Sequence, residues 1–178
     1  MDVSPNLQHH LAPAPVKFST RWMVRVDMAD VLAIDRLAFE DSWPEEKFLK
    51  CLRQRNLIGM VCDHGETVVG YCIYELEKTN FDIARIAVHK KWWRLGAGRY
   101  MIGRLVGKIA NGPSSVRRTS MTMHVRERNL DGQLFLKAMG FKGVKVKRRY
   151  FRNDTDEDAF VMRYDFGNFD QFATEVKT

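Results

Sequence analysis

Cysteine is scarce and unpatterned in this chain of 178 residues. Cys51, Cys62 and Cys72 are odd in number and none has metal-ligand spacing, so they read as reduced thiols of a cytoplasmic protein, with no metal site built on them. No apolar run approaches the roughly 18 residues that a membrane helix needs, which excludes a spanning segment of that kind. The first nineteen residues hold Pro5, Pro13 and Pro15 and few large apolar side chains. They lack a charged segment followed by an apolar one, so a disordered arm over 1–19 is expected in place of a signal peptide. No repeat and no second domain is visible. Residues 20–165 are expected to form a single domain and 166–178 a tail, either a short helix or loose.

What is present is a soluble, globular composition, 45% hydrophobic, with a basic excess. The formal net charge of +7 asks for an acidic partner. Its densest expression is Lys142 to Arg152, where Lys142, Lys145, Lys147, Arg148, Arg149 and Arg152 are basic. On a strand these side chains would divide between two faces, and the usual fate of such a run is a solvated edge that resists sheet-to-sheet association. Asp154, Asp156, Glu157 and Asp158 follow at once and can neutralise the run within a loop. A sharper reading is attraction of a ribosomal or nucleic-acid-associated substrate, or of cofactor phosphates. No motif that reads nucleic acid accompanies the charge, so specific nucleic-acid binding is not expected.

The most informative stretch is Ala87 to Gly107, AVHKKWWRLGAGRYMIGRLVG. A short apolar run leads into a basic turn, two glycines around Ala97, and an amphipathic helix marked by Tyr100, Met101, Leu105, Val106 and Ile109. Glycines let backbone N–H groups approach an anion, and the unpaired amides of a first helical turn favour phosphate. Arg94 and Arg99 bracket the turn. The same pattern also suits a tight strand-to-helix turn with no ligand.

Around this centre the periodicities predict a strand over Arg21 to Val26 and a helix capped by Asp27 and carrying Met28, Val31, Leu32, Ile34, Leu37 and Phe39. A second helix is expected from Pro44, burying Phe48, Leu49 and Leu52. LIGMVCD and TVVGYCIYEL form a hairpin around His64-Gly65, and Phe81 to Val88 a strand. After the glycine turn come a strand at Ser120 to Val125 and a short helix over Leu130 to Met139. Gly140 stands at the helix C′ position and Phe141 opens a strand, with Lys142 to Arg149 pairing with Asp158 to Tyr164.

The ordered set AV…RLGAGR, HVRERN and N…LKAMGF resembles the acyl-CoA-binding core of the GNAT superfamily of N-acetyltransferases. The ending RRYF…DEDAFVM and the segment FEDSWPEEKF are similar to the RimI type, which acetylates protein N-termini. The resemblance covers about residues 20–165. It implies an α/β (α+β) fold with a mixed sheet of about seven strands, about four helices and splayed central strands holding acetyl-CoA. It also implies transfer of an acetyl group to a primary amine, most simply a protein N-terminus and possibly that of a ribosomal protein, by a cytoplasmic monomer or homodimer without a metal. Acetylation of a small amine or a lysine side chain, and a catalytically weak acyl-CoA sensor, are the alternatives.

Carried over residue by residue, the resemblance makes Ile86, Ala87 and Val88 the backbone partners of pantetheine. Arg94, Leu95, Gly96, Ala97, Gly98 and Arg99 become the pyrophosphate cradle and Asn129 a cofactor-side residue. Trp93 replaces the usual Gln or Arg of the turn, and because the cradle is mostly main chain, binding should survive. The Trp92-Trp93 pair either packs on neighbouring structure or offers a stacking face. Such chemistry needs the amine deprotonated, an oxyanion stabilised and a thiolate released.

His124 falls where the RimI type usually has its Glu base, and Leu136 where it has a Tyr acid. Leu136 has no proton to give, whereas His124, with an ordinary pKa of about 6.5, can accept one. A single strand histidine is more often merely packed. Asp82 is the second candidate base, with strand entry after Asn80 as its plainer reading, and Glu75 and Glu77 can act through water. Tyr150 is a candidate to orient the amine or supply a proton. Trp43, Tyr150 and Phe151 are the expected substrate-side residues.

Overall fold

The structure, a computed structural model, describes residues 16–111, 118–152 and 156–166. Residues 1–15 of the expected arm, 167–178 of the tail and Asp154 of the acidic run lie outside them.

Seven strands form one mixed sheet in the order β1-β2-β3-β4-β5-β7-β6. They are β1 (Ser19–Trp22), β2 (Leu57–His64), β3 (Thr67–Leu76), β4 (Asn80–Val88), β5 (Ser120–Arg126), β6 (Lys142–Phe151) and β7 (Glu157–Asp165). Four helices accompany them: α1 (Met28–Ala38), α2 (Glu45–Leu52), α3 (Ala97–Ala110) and α4 (Leu130–Ala138). Among the described residues, no helix is long and apolar enough to cross a membrane.

The sheet separates two apolar clusters. On one face α1 and α2 bury Val31, Ile34 and Phe48 against Val61, Tyr71, Ile73 and Ala87. On the other, α3 and α4 bury Met101, Leu105 and Leu136 against Cys72, Ile83, Met121, Val125 and Met162. Burial pushes the thiols of Cys62 and Cys72 up to about 12, so these cysteines behave as inert core residues.

Among the described residues β4 and β5 are the one parallel pair, and their pairing runs only from Asn80↔Ser120 to Ile83↔Met123. Beyond it the strands part. Against β3, Ile73 pairs with Arg85 and Tyr74 with Ile83, so Ala84 is an extra residue that bulges β4. The bulge bends β4 away from β5 and resets its alternation, which places Arg85 and Ala87 on the α1/α2 face and Ile86 and Val88 on the α3 face.

Several sequence expectations are corrected here. The opening strand is Ser19–Trp22 and not Arg21 to Val26, which also draws Ser19 out of the expected arm. The cause is Asp27, whose carboxylate accepts the Val24 N–H at 2.8 Å and the Arg21 guanidinium at 2.8 Å, turning the chain into a 3-10 turn over Arg25–Asp27. Asp27 therefore precedes α1 without capping it by its side chain. Leu37 is exposed, Phe39 lies beyond the helix end, and Leu49 and Leu52 are only half-buried while Cys51 is buried. Phe141 is a core residue just before β6. β6 is an edge strand exposed along nearly its whole length, on both faces.

Candidate active site

The glycine turn lies directly after the parted end of β4. Arg94 and Gly96 both adopt left-handed backbone conformations, at φ 60° and φ 100°, and Gly96 stands at the N-cap of α3. No side chain caps that helix and its first turn holds no acid. The first helical bond at this end runs from Tyr100 N–H to Gly96 C=O at 2.8 Å. The amides of Ala97, Gly98 and Arg99 therefore precede the internal ladder, as the opening amides of a helix do. A Cβ on Gly98 would stand 3.0 Å from the Phe135 ring, so the close approach of α3 to α4 depends on glycine there.

Trp92 is partly buried, its ring 4.7 Å from that of His64 and against Phe18. Trp93 is 45% exposed and its indole N–H donates to Val88 C=O at 2.6 Å, tying the turn to the end of β4. One of the expected pantetheine partners thus has its carbonyl already engaged. Asn129 caps α4 by accepting the Gly132 N–H at 2.9 Å, and Gly140 takes its left-handed conformation at φ 87°.

On the α1/α2 face, where β4 and β5 begin to part, the two candidate bases stand together. Parallel register sets Asp82 beside Thr122, two residues before His124. His124 Nδ1 is 3.9 Å from Asp82 Oδ1, an ion-pair distance longer than a hydrogen bond. Asp82 Oδ1 also accepts the Thr122 hydroxyl at 2.7 Å, and the Asn80 amide donates to Thr122 Oγ1 at 2.7 Å and to Glu77 Oε2 at 3.2 Å. Tyr150 stacks on the His124 imidazole at 4.6 Å between centroids and 12° between planes.

His124 Nε2 is buried and has no hydrogen-bond partner among the described residues. Burial chiefly, and then the Lys147 ammonium, hold the imidazole below its ordinary pKa, while Asp82 and Glu77 pull the other way. It is therefore neutral near pH 7, with a lone pair available on one nitrogen. Burial and then Asp82 push the Tyr150 phenol up, keeping its proton on. Leu136 is 1% exposed in the α3/α4 core, on the far side of the sheet from His124.

The walls are held by ion pairs that the sequence did not announce. Asp35, fully buried, binds Arg85 with Nη2 to Oδ2 at 3.0 Å, accepts the Tyr71 hydroxyl, and accepts the Trp43 N–H at 2.6 Å. Arg85 also donates to Asp41 C=O at 2.9 Å and lies over the Phe39 ring at 3.8 Å. The loop between α1 and α2, with Trp43 packed on Phe48, is so fixed beside the site. Arg126 bridges that loop to the β6–β7 hairpin, reaching Asp41 at 2.9 Å and Glu157 at 3.0 Å and covering the Phe151 ring at 4.1 Å. Glu75 is occupied by Asn56 at 2.6 Å. The available signal for the buried pair was a charge following an apolar neighbour in each element, Asp35 after Ile34 in α1 and Arg85 between Ala84 and Ile86 in β4.

Residues 27–141 match the Acetyltransferase (GNAT) family. The chain belongs to this GNAT acetyltransferase family. It is 27% identical over 133 residues to the N-alpha-acetyltransferase RimI of Mycobacterium tuberculosis, covering 72% of this chain and 79% of that one. Its fold superposes on the ribosomal-protein-S18-alanine N-acetyltransferase of Escherichia coli with a TM-score of 0.72 at 19% identity, covering 84% and 94% of the two chains. Arabidopsis thaliana NAA60, solved in complex with acetyl-CoA, superposes with a TM-score of 0.72 at 15% identity, covering 84% and 99%. The chain is thus an acetyl-CoA-dependent acyltransferase with the RimI-like fold that its motifs resemble.

Proposed function

We propose that this enzyme acetylates the α-amine of a polypeptide, with His124 as the base. The observation that carries the proposal is the buried, unpartnered Nε2 of a neutral histidine at the mouth of the parted strands.

Acetyl-CoA supplies a thioester whose acetyl carbon is open to an amine and whose thiol leaves. The amides that open α3, those of Ala97 and Gly98 among them, together with the Arg94 and Arg99 side chains, suit its pyrophosphate. Leu95 and Gly96 shape that cradle. Ile86 and Ala87, on the length of β4 that no longer pairs with β5, suit the pantetheine amides. Trp93 takes the Val88 carbonyl and holds the turn against the strand. Asn129 contributes by fixing the start of α4, the helix whose Phe135 ring lies against Gly98.

His124 Nε2 accepts the proton of the incoming amine as the amine nitrogen bonds to the acetyl carbon. Asp82, oriented by Thr122 and Asn80, favours the tautomer with its proton on Nδ1 and steadies the charge that forms on the ring. Tyr150 fixes the imidazole plane and, its phenol protonated, can orient the amine or give a proton to the departing thiolate. Since Leu136 cannot do so, solvent is the other source. Trp43 and Phe151 stand on the two walls that the acceptor passes.

The preference for an α-amine over a small amine or a lysine rests on the name of the Mycobacterium tuberculosis relative, an N-alpha-acetyltransferase. Thiol release from acetyl-CoA measured against N-terminal peptides, ribosomal-protein N-termini among them, polyamines and internal-lysine peptides tests it. Turnover is expected with free N-termini and lost when the same peptides are blocked. Tight acetyl-CoA binding with no turnover on any acceptor contradicts the proposal and leaves a sensor.

A further inference from the structure

Strand register puts a column of lysines on the catalytic face. His124 lies opposite Val161, and Val161 opposite Lys145. The adjoining rows are Arg126, Ala159 and Lys147 on one side and Thr122, Arg163 and Lys142 on the other. Residues paired across strands share a face, so Lys142, Lys145 and Lys147 stand on the face of His124, two strand spacings away, or about 10 Å.

This face is the one opposite α3, so the lysines are not an extension of the phosphate cradle. Among the described residues, the cluster beneath α1 and α2 draws on β2, β3 and β4 and leaves this side of β5, β7 and β6 without helical cover. Several described carboxylates nearby are engaged elsewhere. Asp165 holds Arg163 at 2.7 Å, Glu157 holds Arg126 and Arg128, each at 3.0 Å, Asp158 holds Arg148, and Asp82 faces His124. Among the described residues Lys142 and Lys145 have no acidic partner, and Lys147 Nζ lies 5.0 Å from the Tyr150 ring.

We propose that the acceptor is a polypeptide N-terminus with acidic side chains at about its third to fifth positions, read by Lys142, Lys145 and Lys147. An extended chain advances about 3.3 Å per residue, so about three residues separate an amine at His124 from the column. The column lies on the face of His124 itself and not on a separate surface, which favours the acceptor's carboxylates over a nucleic acid. The inference rests on the reading of His124 as the base for a polypeptide amine.

The test uses peptides sharing their first two residues and carrying Glu, Gln or Lys at positions three to five, with a further peptide bearing Glu only at positions eight to ten. At low salt, kcat/KM should be about tenfold or more higher for the Glu series than for the Lys series, and the gap should shrink as salt rises. The distal Glu peptide should behave like the Gln peptide, and the variant K142E/K145E should invert the order. Equal kcat/KM across a series that does turn over overturns this inference alone, as does a charge effect confined to the distal positions. Inhibition by an RNA oligonucleotide with no effect of peptide charge overturns it in favour of a nucleic-acid surface. No turnover with any peptide overturns the base reading and this inference with it. The salt series on the unaltered enzyme stands even if the double variant does not fold.

Discussion

Two polar clusters sit three residues apart on β4, around Asp82 and around Arg85, and both face the α1/α2 side of the sheet. In the Arg85 cluster the buried groups are matched: the Asp35 carboxylate is shared by Arg85, Tyr71 and the Trp43 N–H. In the Asp82 cluster one nitrogen is left over, His124 Nε2. A saturated buried network has no capacity left for a substrate and acts as structure, holding the α1–α2 loop. An unsaturated one carries the cost of an unmet lone pair, and that lone pair is available to an incoming proton. The bulge at Ala84 separates the two, just where the pairing of β4 with β5 ends.

If this contrast is right, Arg85→Met should be the most damaging change to folding. It leaves the Asp35 charge buried without its counter-ion, and a loss of about 3–5 kcal/mol is expected in denaturant unfolding. A loss under about 1 kcal/mol would show that the cluster is not the structural half of the pair.

Smaller and opposite effects should sharpen the other half. In a pH profile of kcat at saturating substrates, the unaltered enzyme should stay active through neutrality. Its acid limb should lie below the ordinary histidine value of about 6.5, because a base works unprotonated and burial holds His124 down. Lys147→Ala removes a cation that favours the neutral ring, so the limb should move up in pH. Asp82→Asn removes a carboxylate that favours the charged ring, so it should move down. Shifts in the same direction for both variants would mean that the limb does not report His124.

The features legible in the sequence are those specified within a few residues. The glycine turn and α3, the start of α4 after Asn129 and the Gly140 helix end all follow from local chemistry, and each stands where expected. What was not legible depends on register and long separations. Asp82 and His124 read as competing candidates because nothing local says that parallel pairing sets Asp82 beside Thr122. Asp35 and Arg85 are 50 residues apart and meet only through the sheet. The first strand was misplaced because Asp27 spends its carboxylate upstream on Val24 and Arg21, which its suitability as a helix cap conceals. The basic run could be read as an edge, but its place on the face of His124 follows only from the pairing of β5, β7 and β6.

The central claim is most directly tested by His124→Ala, measured together for kcat on a turned-over peptide, acetyl-CoA affinity and unfolding stability. A kcat lower by about 10²-fold is predicted, with acetyl-CoA affinity unchanged and stability altered by less than about 1 kcal/mol. A kcat within threefold of the unaltered enzyme would contradict the account and leave His124 as a packed strand residue.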